Sequence, residues 1–238
     1  MENAICFLLT GRYALFSDPV TRVGGEKCSY LVPTYEALKG VCESIYWKPS
    51  FVWIVDRVRV LSPIQSQSKG VRPITLSKGP ATLSIYTYLR DVRYQVYAHF
   101  EWNERRPDLA PDRNENKHYF MAKRSLERGG RRDVFLGTRE CQGYVEPCSF
   151  DSLPSAYDDT PEMDFGLQFH GFTYGDEGDG TLTARFWYPK MRRGEIAFLR
   201  PDSADMPVAR LIHQQTAKAF TLGQNLRPVE LECEEAER

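Results

Sequence analysis

Between Leu89 and Trp102 the chain alternates without a break: Val92, Tyr94, Val96, Ala98 and Phe100 point one way, and Arg93, Gln95, Tyr97 and His99 the other. A period of two sustained over that length is a strand period, and apolar residues on a single face require cover on that face. The chain must therefore build an antiparallel sheet with one packed face, and its other segments must supply neighbouring strands and a covering layer. His99, on the polar face, reads as a surface residue and not as a ligand.

Two apolar segments offer neighbours: Ala4 to Leu9, and Phe51 to Leu61, which is rich in Val and Ile and carries Trp53. Two others offer cover. Thr34 can cap a helix running to Ile45, with Tyr35, Leu38, Cys42 and Ile45 as its buried stripe, and Pro49 forbids its continuation. The stretch Asp112 to Arg132, DRNENKHYFMAKRSLERGGRR, reads as a second helix that begins near Asn116 and is ended by Gly129 and Gly130 in left-handed conformations. Val134 to Leu136 and Gln142 to Val145 are short strand material. Thr10 to Gly25 and Pro63 to Pro80, with their Gly and Pro turns, read as long loops.

The order is strand, helix, strand, strand, helix, strand. That is the split βαβ arrangement (βαββαβ) of ferredoxin-like and RNA-recognition-motif folds, an α+β class. Beyond Cys148 the composition changes: Asp151 to Asp164 is an acidic linker or long loop. Phe165 to Tyr174, Leu182 to Tyr188 and Glu195 to Leu199 then suggest a small antiparallel sheet. The acidic turn Gly175 to Gly180 lacks the ligand spacing of a calcium loop and reads as a hairpin turn. Leu211 to Leu222 predicts a helix, and Glu230 to Arg238 a frayed acidic tail. The expected division is residues 1–148 and 149–238.

The net charge of −1 conceals an uneven distribution. Residues 1 to 141 carry 22 Lys and Arg against 15 Asp and Glu, while residues 142 to 238 carry 9 against 17. A basic module joined to an acidic one points to a polyanion partner for the basic part. The longest apolar run is the six residues Ala4 to Leu9, far short of a membrane span, and the Met1-Glu2-Asn3 start lacks a basic signal region. The expectation is a cytoplasmic protein with no membrane partner. The cysteines at 6, 28, 42, 141, 148 and 233 form no CxxC pair, which predicts neither a disulfide framework nor zinc. No cofactor signature is present, and the expectation is that no metal and no cofactor are used.

In the second helix, turns of about 100° per residue place Lys117, Arg124 and Arg128 on one face and Tyr119, Ala122 and Leu126 on the opposite one. His118 falls between them at the N-terminal end, a position suited to proton transfer. Lys123, Arg124, Arg128, Arg131 and Arg132 are candidate phosphate contacts. The backbone N–H groups at Arg131 and Arg132 have the turn context to face an anion, and Asp133 is placed to pair with one of the two arginines. Tyr46 lies at the edge of the first helix's stripe. The plainer alternative is a solvated amphipathic helix with a surface histidine, and a half-core aromatic cap at Tyr46.

Four blocks make the chain resemble a known family. They are YALFSDPVTRVGGEKCSYLVPTYEALKGVCESIYWKP (Tyr13 to Pro49), SKGVRP (Ser68 to Pro73), RPDLAPDRNENKHY (Arg106 to Tyr119) and GGRRDVFLGTRECQGYV (Gly129 to Val145), with HGF at His170 to Phe172 further on. They resemble the Cas five subunit of type I-C CRISPR systems, the branch that processes precursor crRNA. The resemblance implies a ferredoxin-like domain followed by a small β-sheet domain. It also implies metal-free cutting of the repeat RNA beside its hairpin, with retention on the crRNA among the other subunits of the interference complex. It assigns the cut to a tyrosine, a lysine and a histidine, here Tyr46 after SI, and Lys117 and His118 after RNE-x.

Such cutting uses the neighbouring ribose 2′-hydroxyl as nucleophile and leaves a 2′,3′-cyclic phosphate and a 5′-hydroxyl. A histidine of ordinary pKa near 6.5 suits the proton transfer, and Lys117 the charge on the transition state. A free tyrosine is only about 0.1% phenolate at pH 7, so Tyr46 fits an orienting or relaying role better than that of a base. Two other readings stay open at this stage: a non-catalytic crRNA-holding subunit, and a metabolic protein on a ferredoxin-like scaffold. Whether DNA is also a partner is likewise open.

Overall fold

A computed structural model of the chain describes residues 3–19, 21–72 and 83–236. The strands in chain order are β1 (Ala4–Ala14), β2 (Lys27–Cys28), β3 (Phe51–Val60), β4 (Ser66–Val71), β5 (Ser84–Trp102), β6 (Val134–Phe135) and β7 (Gln142–Pro147). They continue with β8 (Met163–Asp164), β9 (Gln168–Thr173), β10 (Thr181–Trp187), β11 (Lys190–Met191), β12 (Glu195–Ala197) and β13 (Val208–Gln214). The α-helices are α1 (Tyr35–Ile45), α2 (Glu115–Glu127) and α3 (Val229–Ala236).

The alternating segment is the centre of the larger sheet. β5 pairs antiparallel with β1 on one side and with β3 on the other, and β1 in turn pairs with β7. The order β3-β5-β1-β7, with α1 between β1 and β3 and α2 between β5 and β7, is the ferredoxin-like arrangement. Val92, Tyr94, Val96, Ala98 and Phe100 are all buried, as the alternation requires. Gln95, on the other face, is buried too. Its amide donates to the carbonyl of Ser149 at 2.9 Å, because residues 149–158 lie across that face. The acidic loop is held there: Arg59 pairs with Asp151 and with Asp158, and Tyr157 accepts from the amide of Ile64 at 2.7 Å.

α1 starts behind its expected cap, Thr34; α2, expected to begin near Asn116, begins at Glu115 and is capped by Asn114. Thr34 accepts from the amide of Ala37, and Asn114 from that of Lys117, each at 3.2 Å. A cap stabilises by about 1 kcal/mol. Each buried Leu, Met or Val contributes about 1.5–3 kcal/mol, so packing against the sheet, and not the caps, holds the largely polar α2 in place. Gly129 and Gly130, at φ 84° and 103°, end it as expected.

Several sequence expectations are corrected. β1 continues through Ala14 into the segment read as a loop, and a 3-10 turn forms at Thr21–Gly24. β4 lies within the expected Pro63 to Pro80 loop, pairing on the extended end of β5 by backbone bonds with little burial. The turn expected at Lys78-Gly79-Pro80 lies outside the described residues, as do Pro73 and Arg238. Glu195 to Ala197 does not join the small sheet; as β12 it pairs with β3. The small sheet is β13-β10-β9, and β13 occupies the start of the segment read as a helix. Its side chains are mostly exposed, so burial imposes neither a helical nor a strand period on its sequence. As far as Ala236 the acidic tail is no frayed end: it forms α3, docked on α2 through Val229 and Cys233, and residues 237–238 lie outside the described residues.

The small sheet is tied to α1. Glu36 accepts from the amide of Phe172 and the hydroxyl of Tyr174, both at 2.8 Å, and Lys39 pairs with Glu177 at 2.6 Å. His170 stacks on Tyr35 with ring centroids 4.4 Å apart.

Candidate active site

The C-terminal end of α1 and the first turn of α2 meet beneath α3. Tyr46 is the C-cap of α1: its amide donates to Cys42 O at 3.0 Å, and its carbonyl accepts from the Trp53 indole at 2.7 Å. With the chain fixed on both sides of the ring, its hydroxyl reaches Nδ1 of His118 at 2.8 Å. The other ring nitrogen, Nε2, lies 2.7 Å from the backbone carbonyl of Asp112. A carbonyl only accepts, so Nε2 carries the hydrogen, Nδ1 is the acceptor, and Tyr46 donates.

His118 is 0% exposed and sits among the rings of Phe51, Trp102 and Phe100, with centroids 5.2, 5.6 and 6.3 Å away. The expectation of a histidine between two faces of the helix is corrected. His118, Met121, Ala122, Ser125 and Leu126 form the buried stripe, and His118 begins it. Burial pulls its pKa below the ordinary 6.5, with the Asp112 carbonyl opposing. The imidazole is therefore neutral at pH 7 and able to take a proton. Burial, then the nearby Glu232 carboxylate, pushes the Tyr46 phenol well above its ordinary value, so it stays protonated. The Asp112 carboxylate lies 3.7 Å from Nε2 and is itself buried. It accepts from Ser50 Oγ at 3.1 Å and from the amide of Val229 at 2.7 Å.

The cations are placed unequally. Lys117 is partly exposed, with Nζ 3.8 Å from Glu230 of α3. The Arg131 guanidinium lies 4.6 Å above the Tyr46 ring and pairs with Glu232 at 3.0 Å. Glu232, and not Asp133, is thus its carboxylate partner. Arg132 donates to the carbonyl of Glu43 at 2.8 Å. The backbone N–H groups of Arg131 and Arg132 do not face an anion site, because both are taken by the carbonyl of Ser44 at the end of α1. Among the described residues, Lys123, Arg124 and Arg128 have no ion-pair partner, and Nη1 of Arg124 is buried without a hydrogen bond.

Three groups escaped sequence reasoning. Lys48 is 4% exposed, donates to the carbonyl of Arg227 and pairs with Glu232 at 2.6 Å. Asp112 fixes the tautomer, and Glu232 joins two cations. The signal for Lys48 was its place two residues from Tyr46 and beside Pro49, where a lysine is easily read as solvated. For Glu232 it was the run of acids opposite a basic helix.

The family model described as CRISPR-associated protein (Cas_Cas5) matches residues 4–199. Of curated proteins, the CRISPR pre-crRNA endoribonuclease Cas5d of Mannheimia succiniciproducens is 26% identical over 219 residues, 82% of this chain and 95% of that protein. The protein of the same name from Thermus thermophilus is 32% identical over 147 residues, 58% of this chain and 61% of that one. A solved structure described as that of a CRISPR-associated protein superposes with a TM-score of 0.74 at 37% identity, covering 87% of this chain and 96% of its own. SMU1763c from Streptococcus mutans, described as functionally uncharacterized, gives 0.73 at the same identity and coverage. With the family model spanning nearly all of the larger sheet and most of the smaller one, the chain belongs to the CRISPR-associated Cas5 family, in its type I-C branch, Cas5d.

Proposed function

We propose that this protein is an endoribonuclease that cuts CRISPR repeat precursor RNA beside its hairpin without a metal ion and stays on the crRNA as a subunit of the type I-C interference complex. The observation that carries the reading is the Tyr46 hydroxyl bonded to a neutral His118 whose tautomer is fixed by Asp112. Relatives named as pre-crRNA endoribonucleases support the substrate class. In this reading residues 1–148 bind and cut the RNA, and residues 149–238 form the second domain.

Both His118 nitrogens are occupied, so the imidazole works through Tyr46. The phenol oxygen takes the proton of the attacking 2′-hydroxyl as its own hydrogen passes to Nδ1. The imidazolium so formed keeps its Nε2–H on the Asp112 carbonyl, with the Asp112 carboxylate nearby to balance the charge. The 2′-oxygen attacks phosphorus as the bond from phosphorus to the 5′-oxygen breaks; the 5′-oxygen takes a proton from solvent water, a 2′,3′-cyclic phosphate remains, and the imidazolium returns its proton to solvent through the Tyr46 hydroxyl. Lys117 stabilises the charge on the phosphorane-like transition state, and Lys123, Arg124, Arg128, Arg131 and Arg132 hold the RNA backbone.

The complete burial of Tyr46 and His118 favours a second reading, an RNA-holding subunit in which this pair only braces α1 against α2. Incubating the protein with end-labelled type I-C repeat RNA in excess chelator separates the two. One cut beside the hairpin, ending in a cyclic phosphate, is expected; RNA bound but uncut supports the holding role.

A further inference from the structure

α3 carries Glu230, Glu232, Glu234 and Glu235 and no basic residue, and it lies on the cations of the candidate active site. Glu230 faces Lys117, and Glu235 pairs with Arg227. Glu232 bridges: one carboxylate oxygen is 2.6 Å from Lys48 Nζ and the other 3.0 Å from the Arg131 guanidinium. Burial works against this carboxylate, but Lys48 and then Arg131 outweigh it and hold its pKa below the ordinary value, so it is an anion. Two cations that grip two oxygens of one anion, over the ring of a tyrosine bonded to a histidine, have the chemistry of a phosphodiester seat.

The hold on α3 is small. Among its described side chains Val229 and Cys233 are buried and Leu231 is about half exposed; its attachments include the ion pairs, the bond from the Val229 amide to Asp112 and the contact of the Cys233 thiol with the Lys117 carbonyl. While the helix is docked, Tyr46 and His118 have no exposed surface through which a ribose could be reached.

We propose that Lys48 and Arg131 form the seat of the scissile phosphate and that Glu232 occupies it in the RNA-free protein, so that α3 leaves when RNA enters. The proposal rests on the reading of Tyr46 and His118 as the cutting pair. It adds a phosphate-binding residue, Lys48, and an internal competitor for the substrate. Because the binding-competent form is populated only when α3 is away, apparent RNA affinity is reduced by that fraction.

The test uses the full-length protein and repeat RNA carrying a 2′-deoxy nucleotide at the cut, so that binding is measured apart from cutting. Glu232→Gln keeps the shape of the side chain and should tighten binding of this RNA by at least about fivefold. Lys48→Gln should weaken binding, and in its background Glu232→Gln should lose most of its benefit, the coupling expected of two groups that compete for one seat. In the wild type, α3 amides should exchange faster with solvent deuterium once the RNA is bound. Weaker binding by a folded Glu232→Gln, or greater protection of α3 with RNA, would overturn the proposal and make the helix part of the RNA-bound site. Should the wild type bind but not cut ribose RNA, the cutting reading fails, while the affinity and exchange measurements still decide the place of α3.

Discussion

Tyr46 donates its hydroxyl hydrogen to Nδ1 of His118 across 2.8 Å, and the direction of that bond is set on the far side of the ring by the carbonyl of Asp112. Removing the hydroxyl alone is therefore a clean test. Tyr46→Phe should lower the single-turnover cutting rate by about 10²-fold or more, with RNA affinity nearly unchanged. Leaving Nδ1 unsatisfied should cost about 1–3 kcal/mol of stability, readable in urea unfolding. A variant that cuts normally removes Tyr46 from the chemistry.

In the proposed reaction the nucleophile belongs to the RNA. A single 2′-deoxy substitution 5′ to the cut should abolish cleavage by the wild-type protein while leaving binding intact, and cleavage of the all-ribose substrate should survive excess chelator. Loss of activity in chelator, restored by magnesium or manganese, would show that the reaction runs through a metal.

The basic face should act on affinity rather than rate. Reversing Arg124 or Arg128 to Glu should weaken binding and flatten its dependence on salt, because a protein that neutralises fewer phosphates releases fewer counterions. Lys190→Glu, whose wild-type side chain already pairs with Glu162 and Asp164 away from α2, serves as the control. Equal weakening at both places would unseat the assignment of this face.

Acid should act through opposed groups. Burial raises Glu43 to about 7 against an ordinary 4.5, and Glu177 moves in the same direction, so the folded state binds extra protons between about pH 7 and 4.5 and gains stability there as pH falls. Burial, aided by Arg185, lowers His170 to about 3, and burial also lowers His118. The unfolded state thus binds extra protons below about 6.5, and stability is lost as pH falls. Glu101, lowered to about 2 chiefly by Arg200, adds a loss below 4.5. The urea midpoint should therefore change little between pH 7 and 4.5 and fall steeply below. A steep fall already at pH 6 would mean that Glu43 is not held protonated.

What the sequence disclosed follows from which side chains the fold buries. β5, α1 and α2 each bury a regular stripe, so their period is written in the residues, and Thr34 marks where α1 starts; the cap of α2, Asn114, emerged only with the structure. β4 and β13 bury little and are held by backbone bonds, which leave no pattern in side-chain chemistry. The acidity of α3 was plain, but its docking depends on Lys48 and Arg131, far away in the chain. Tyr46 and His118 were paired through the resemblance; 72 residues separate them, and no periodicity joins a helix cap to the first turn of another helix. The helical period placed His118 at the edge of α2's packed face because the wheel was centred on Tyr119, and the sheet instead receives the face centred nearer His118 and Met121.

β12 is only three residues long, yet it lies along β3 from Arg57 to Arg59, and the flanking bonds from Val60 to Gly194 and from Phe198 to Asp56 extend the seam at both ends. The late part of the chain thereby stops the large sheet from having a raw border at β3. A fragment ended after Pro147 would keep every ferredoxin-like element but present those N–H and C=O groups to any other chain with a free strand. Such a fragment should associate with itself by border-to-border pairing, so the solubility of the ferredoxin-like half depends on a three-residue strand that comes from beyond it.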